Sequence, residues 1–306
     1  MKRVLIATDK PFAPLALQQI SAVLQQAGYQ LQLLEKYQSK SDLLAVVTTA
    51  DAMIVRSDLV DRDVLDAARD LKIVVRAGAG YDNVDTAYAK ERSVVVMNTP
   101  GQNSNAVAEL AIGLSIYGIR EFFSGKSGGE LRGRSLGLHG YGYVARNVHR
   151  IARAMGMTVR VYTRYSKAQA TSEGLEVTNS LEELYALSDI VSIHVPAKGE
   201  HLKSVSMPVL KNLKHGAIIV NTARKEVVNE NDLCRFMETR PDVKYLSDIE
   251  PDCTSTFNEK FKGRFYFTPK KLGAQTEEAN TNAGVAAAEQ IVAFFERGDQ
   301  TYRVNK

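Results

Sequence analysis

The sequence predicts an α/β fold with parallel sheets in two domains, and three observations predict it. Short β-branched apolar runs alternate with longer segments of helical period. The chain has 306 residues, comfortable for two domains. Two long helical patterns, 103–123 and 276–298, separate one set of strands from a second and close the chain.

In order, the first strand candidates are VLIA (4–7), AMIVR (52–56), KIVVRA (72–77) and VVVMN (94–98). Between the first two lies APLALQQISAVLQQAG, apolar at every third or fourth position, with Gly28 suited to a helix C-terminus. Together they predict one β-α-β unit. The second set is SLGLHG (135–140), TVRVYT (158–163), IVSIHV (190–195), AIIVNTA (217–223) and VKYLSD (243–248). The segment 103–123 begins with polar residues able to cap it, and 276–298 is a second helix of the same kind. They are expected to be the two crossings between domains, so that the C-terminal tail completes the N-terminal lobe. The expected division is 1–98 plus 284–306, and 99–283. No repeat or low-complexity linker is visible, and no appended regulatory module is expected after Lys306.

A formal charge of +4, spread without any basic block, does not imply nucleic acid and leaves small anionic substrates open. Two cysteines, Cys234 and Cys253, exclude a disulfide framework or a cysteine zinc site and suit a reducing compartment. Their default role is structural, and no metal site is expected. The apolar run at the start ends at Ala7, too short for a signal peptide, and no apolar stretch is long enough to span a bilayer. A cytoplasmic, soluble protein without a membrane or nucleic-acid partner is the expectation.

The most specific local signal is LGLHGYGYVARNVHRIARAMGMTVRVYT. Gly140 and Gly142 follow a strand and open a helix, as a dinucleotide-binding turn requires: one glycine for the bend, the next for backbone approach to pyrophosphate. Ala145 stands at the third glycine position, where only a small side chain is needed. NAD(H) or NADP(H) is therefore the expected cofactor. No carboxylate stands near Thr163 to take the ribose hydroxyls, whereas Arg164 and Lys167 offer positive charge. Either a 2′-phosphate is tolerated or preferred, or Arg164 is solvated and NAD binds without that hydrogen bond.

With RAGAGYDNVD (76–85), NTPGQNSNAVAEL (98–110), LGLHGYG (136–142), SIHVPA (192–197) and VNTARKEVVNENDL (220–233) in view, the whole chain resembles the D-isomer-specific 2-hydroxyacid dehydrogenases. That resemblance implies two doubly wound parallel-sheet domains, a flavodoxin-like substrate domain discontinuous in sequence and a Rossmann cofactor domain, and a homodimer formed through the latter. By matching position it implies that Arg224 grips the substrate carboxylate and C2 oxygen, a task suited to guanidinium geometry. Backbone groups at Ala77, Gly78 and Ala79 would line the carboxylate, and Arg56, Ser57, Arg76 and Asn103 would meet a phosphate. The cofactor would be met by Gly140, Gly142, Tyr143, Val144, Thr163, Arg164, Val195, Pro196, Thr222, Ala223, Asp248 and Gly273.

The stretch TPKKLGAQT (268–276), on its own a solvated turn, takes a different meaning from the resemblance. The family keeps its proton-transfer histidine there, oriented by a glutamate; this chain has lysine. Anchoring on Thr268 and Pro269 places Lys270 in the histidine's position, and anchoring on Leu272 to Ala274 places Lys271 there. Glu250 matches the glutamate only across a gap. His139, His149, His194, His201 and His215 all read as structural. A lysine with an ordinary pKa of about 10.4 must lose two to three units to act as base at neutral pH, roughly 3–4 kcal/mol. Desolvation, the neighbouring lysine and Arg224 push that way.

Within the family the chain looks most like the short members that oxidise 3-phosphoglycerate to 3-phosphohydroxypyruvate at the entry to serine synthesis. A glyoxylate or hydroxypyruvate reductase using NADPH is the alternative, and a non-catalytic dinucleotide-sensing scaffold is the alternative of another class.

Overall fold

The computed structural model describes residues 1–164 and 166–306, which separate into two compact units, Met1–Asn103 with Thr276–Lys306, and Ser104–Gln275. The chain passes between units at residues 103/104 and 275/276, whereas the sequence placed the boundaries at 98/99 and 283/284. Each long helix therefore opens one unit.

The first unit runs β1 (Arg3–Thr8), α1 (Pro14–Gln26), β2 (Gln30–Glu35), α2 (Lys40–Val47), β3 (Ala52–Val55), α3 (Arg62–Ala67), β4 (Ile73–Arg76), α4 (Thr86–Glu91) and β5 (Val95–Asn98). Its sheet is all parallel, in the order β2-β1-β3-β4-β5. Both faces are covered, which is why the strands read as unbroken apolar runs. Val4 and Ile6 face one buried cluster with Ile20 and Leu24 of α1, while Leu5 and Ala7 face another with Leu43 and Val64.

The β-α-β unit is corrected: α1 leads from β1 to β2, and β3 follows only after α2. QLQLLE escapes detection because it is an edge strand, half polar and largely uncovered.

In the second unit, α5 (Ser104–Ile119) is followed by β6 (Ser135–His139), α6 (Tyr143–Ala154), β7 (Thr158–Tyr162), α7 (Lys167–Ser172), β8 (Glu176–Val177), α8 (Leu181–Leu187) and β9 (Ile190–Ile193). Then come α9 (Met207–Leu210), β10 (Ile218–Asn221), α10 (Glu230–Thr239), β11 (Lys244–Ser247), α11 (Thr254–Lys260) and β12 (Phe265–Phe267). The seven strands are parallel, in the order β12-β11-β10-β9-β6-β7-β8. The strand order reverses between β6 and β9, opening a crevice at their C-terminal ends. Helix α5 stops at Ile119 rather than Phe123, because Glu121, Phe122 and Phe123 turn left-handed with φ of 53°, 57° and 53°.

Helix α12 (Glu277–Arg297) returns the chain to the first unit. Thr276 caps it, its Oγ1 accepting from the Ala279 N–H at 3.1 Å, and Gly298 ends it at φ +66°. It lies against α1 so closely that a Cβ on Gly284 would stand 2.7 Å from Ile20 Cδ1. No helix among the described residues is long and apolar enough to cross a membrane.

Candidate active site

In the second unit the glycine-rich turn sits at the C-terminal end of β6. Gly140 has φ +99°, and a Cβ there would lie 2.7 Å from Val195 Cγ1 and 2.8 Å from the His194 carbonyl oxygen. Only glycine makes this bend against the end of β9. Gly142 caps α6 with extended backbone, and a Cβ there would meet nothing within 4 Å. The first glycine is thus required by the protein's own packing, and the second leaves open space before the unpaired N–H groups of the first turn of α6, where Tyr143 and Val144 stand. Ala145 is fully buried against the sheet. These residues fit a dinucleotide pyrophosphate.

A cleft of about 170 Å³ continues from the turn, lined by Thr163 and Arg164 after β7 and by Val195 and Pro196 after β9. Thr163 is buried, its Oγ1 accepting from the Ser166 N–H at 3.4 Å. Arg164 donates from Nε to the Tyr162 hydroxyl at 3.2 Å, and its Nη1 forms an ion pair with Glu200. His139 and His194 also line the cleft, and burial pushes each imidazole down to about 3, so both are neutral at physiological pH.

Tyr141, between the two glycines, is buried; its hydroxyl donates to Glu173 and lies 3.0 Å from His149 Nδ1. Burial and Glu173 raise the phenol's pKa, the phenol lowers that of Glu173, and burial lowers that of His149. The turn is thereby tied to α6 and to the residue following α7. Sequence reasoning missed Tyr141, because its partners Glu173 and His149 are set by the fold.

Further along the same sheet edge, β10 ends in Asn221, fully buried. Its amide donates to the Arg224 carbonyl at 3.0 Å and to the Tyr245 hydroxyl at 3.2 Å, while its Oδ1 accepts from the Ala223 N–H at 2.9 Å. These bonds shape the turn that carries Thr222, Ala223 and the exposed Arg224. The Ala223 carbonyl accepts from Arg224 Nη1 at 3.2 Å and from Lys271 Nζ at 2.9 Å. Lys270 is exposed, whereas Lys271 is partly covered.

The lysine segment is fixed by Asp248, at the end of β11. One carboxylate oxygen accepts from the Thr268 hydroxyl at 3.0 Å and the Leu272 N–H at 2.8 Å, and the other from the Gly273 N–H at 2.8 Å. A Cβ on Gly273 would stand 2.8 Å from that second oxygen. Glu250 is exposed. Cys234 and Cys253 are free and half-buried, both thiols pushed up by burial.

In the first unit, Arg56 follows β3 beside the sheet's reversal point between β1 and β3. Its Nη1 donates to the carbonyls of Lys10 at 2.8 Å and Pro11 at 3.2 Å, and its Nη2 to Asn280 Oδ1 at 2.7 Å. Ser57 is exposed and Asn103 partly so. Arg76 donates from Nε to the Arg56 carbonyl at 2.9 Å and folds across Gly78, which has φ +147°. The Ala77–Ala79 loop is held at both ends: Ala77 N–H donates to the Val55 carbonyl at 2.8 Å, and Asn98 donates to the Ala79 carbonyl at 2.6 Å.

The fold and these sites define a class. Residues 6–305 match the family model described as D-isomer specific 2-hydroxyacid dehydrogenase, catalytic domain, and the chain belongs to that family of oxidoreductases. It is similar to a D-3-phosphoglycerate dehydrogenase of Archaeoglobus fulgidus, 33% identical over 270 residues covering 83% of this chain and 51% of the relative. It is also similar to a hydroxypyruvate reductase of Thermotoga maritima, 30% identical over 281 residues covering 86% of this chain and 90% of the relative. Among solved structures it matches the NAD+-bound 3-phosphoglycerate dehydrogenase of Entamoeba histolytica, with a TM-score of 0.86, 42% identity, and coverage of 100% and 99% of the two chains. The chain spans about half the length of the curated phosphoglycerate dehydrogenase from Archaeoglobus.

Proposed function

We propose that the protein oxidises 3-phospho-D-glycerate at C2 to 3-phosphohydroxypyruvate with NAD, at the entry to serine synthesis. The observation that carries this reading is the convergence of Arg224 and Lys271 on the Ala223 carbonyl. Two cations so close favour an anion beside them. Arg224 holds the substrate carboxylate and C2 oxygen. Lys271, in its neutral form, takes the C2 hydroxyl proton as the carbonyl forms, and in reverse its ammonium returns that proton. The chemistry that a nicotinamide supplies when bound is acceptance of hydride from C2. Gly140, Gly142, Tyr143 and Val144 hold its pyrophosphate. The Ala77–Ala79 backbone supports the carboxylate, and Arg56, Ser57, Arg76 and Asn103 meet the phosphate.

A second reading, reduction of hydroxypyruvate or glyoxylate, is favoured by one observation: Arg56 spends three hydrogen bonds on Lys10, Pro11 and Asn280. Comparing kcat/KM for phosphohydroxypyruvate, hydroxypyruvate and glyoxylate separates the two. A clear preference for the phosphorylated acid supports the first, and equal efficiency removes the phosphate role of Arg56. Cofactor binding without turnover on any 2-oxo acid would leave a dinucleotide-binding scaffold. A homodimer formed through the second unit, which exposes Phe123, goes with this reading, and sedimentation tests the oligomeric state.

A further inference from the structure

Resting on the dinucleotide reading above, we propose that Glu200 is a specificity-determining residue that directs the cleft toward the non-phosphorylated cofactor by pairing with Arg164. The end of β7 carries no carboxylate: Thr163 is followed by Arg164, which lines the cleft. Arg164 alone would be a ready partner for a 2′-phosphate. Glu200 arrives from a different segment, the single 3₁₀ turn at Gly199–His201 after β9, and forms an ion pair with it. His201, its chain neighbour, lines the same cleft.

The pair changes what the cleft presents. A phosphate carrying nearly two negative charges would meet a guanidinium already neutralised, with a carboxylate beside it. A ribose hydroxyl carries no charge and suffers no such repulsion. The carboxylate expected at the end of the second cofactor-domain strand is thus supplied from the neighbouring crossover. The side chains are 54% and 39% exposed, so the pair contributes little to folding, and replacing either leaves the fold intact.

The test is direct binding, read by nicotinamide fluorescence on the full chain with NADH and with NADPH, for the native protein, Glu200→Gln, Arg164→Ala and the double variant. The native protein should bind NADH more tightly than NADPH. Glu200→Gln should shift the ratio toward NADPH by about tenfold, the effect of roughly 1.4 kcal/mol. Arg164→Ala in the Glu200→Gln background should remove that gain, because the gain belongs to the guanidinium. A ratio in Glu200→Gln within twofold of native, or a gain that survives loss of Arg164, overturns the assignment. If the native protein binds neither nucleotide, the dinucleotide reading itself falls, a result distinct from an unchanged ratio.

Discussion

Lys271 and Arg224 donate to one oxygen, the carbonyl of Ala223, at 2.9 and 3.2 Å. Residues far apart in the chain thereby place an ammonium and a guanidinium side by side at one edge of one sheet. Lys270, the adjacent residue, is exposed and reads as a surface cation.

Lys271→Ala should lower kcat by at least about 100-fold, the scale of a lost proton-transfer group, while Lys270→Ala changes it less than about threefold. Steady-state kinetics across pH checks this. Native rates in Lys271→Ala would exclude it as the proton carrier.

The two glycines of the turn should respond in opposite ways. Gly140→Ala places a Cβ against Val195 and the His194 carbonyl at a backbone angle that disfavours side chains, so it should lose about 1–3 kcal/mol of stability. Gly142→Ala meets open space and should fold normally, yet bind dinucleotide more weakly by crowding the approach to α6. Denaturant unfolding alongside NADH titration reads both effects.

Asp248→Asn keeps the shape of the side chain but leaves one carboxamide oxygen to do the work of two carboxylate oxygens. Losing a charge-assisted bond to the Leu272 or Gly273 N–H should cost about 1.5–3 kcal/mol and loosen the lysine segment. A lower Tm together with a reduced kcat is expected. An unchanged kcat in a folded variant would show that the segment needs no such anchor.

His139 and His194 should stay neutral well below the ordinary histidine range, since burial depresses both to about 3. Between about pH 6.5 and 3 the unfolded chain binds protons that the folded chain does not, so these groups lower stability as pH falls through that window. NMR titration of the two imidazoles checks the charge state, and urea unfolding at several pH values checks the trend.

Much of the architecture is legible because parallel strands covered on both faces are apolar throughout. Val4 to Ala7 and Ile218 to Val220 are buried on either side of their sheets, and such runs stand out in any reading. The strand QLQLLE does not, because only part of it is covered, and β12 is three residues of aromatic edge. The glycine-rich turn is legible because local geometry demands glycine at Gly140. Asn221, Tyr141 and Glu200 are hidden for the opposite reason. Each acts through partners set by the tertiary fold, from Asn221 with Tyr245 to Tyr141 with Glu173 and Glu200 with Arg164, and spacing along the chain says nothing of them. The two lysines could not be separated by counting, since one inserted residue shifts the register; in the fold Lys270 is exposed and Lys271 is partly covered.

The first unit is assembled from the two ends of the chain, and this fixes an order of events at the ribosome. Ile20 and Leu24 of α1 share a buried cluster with Ala287 and Ile291 of α12. The Asn305 amide bonds to the backbone of Val94 and Val96 beside β5. Synthesis must pass through the whole contiguous second unit before those partners exist. The second unit can mature while the chain is still growing, but the first must keep an apolar helix face and one sheet margin waiting. In a chain built this way the last thirty or so residues act as the closing stitch.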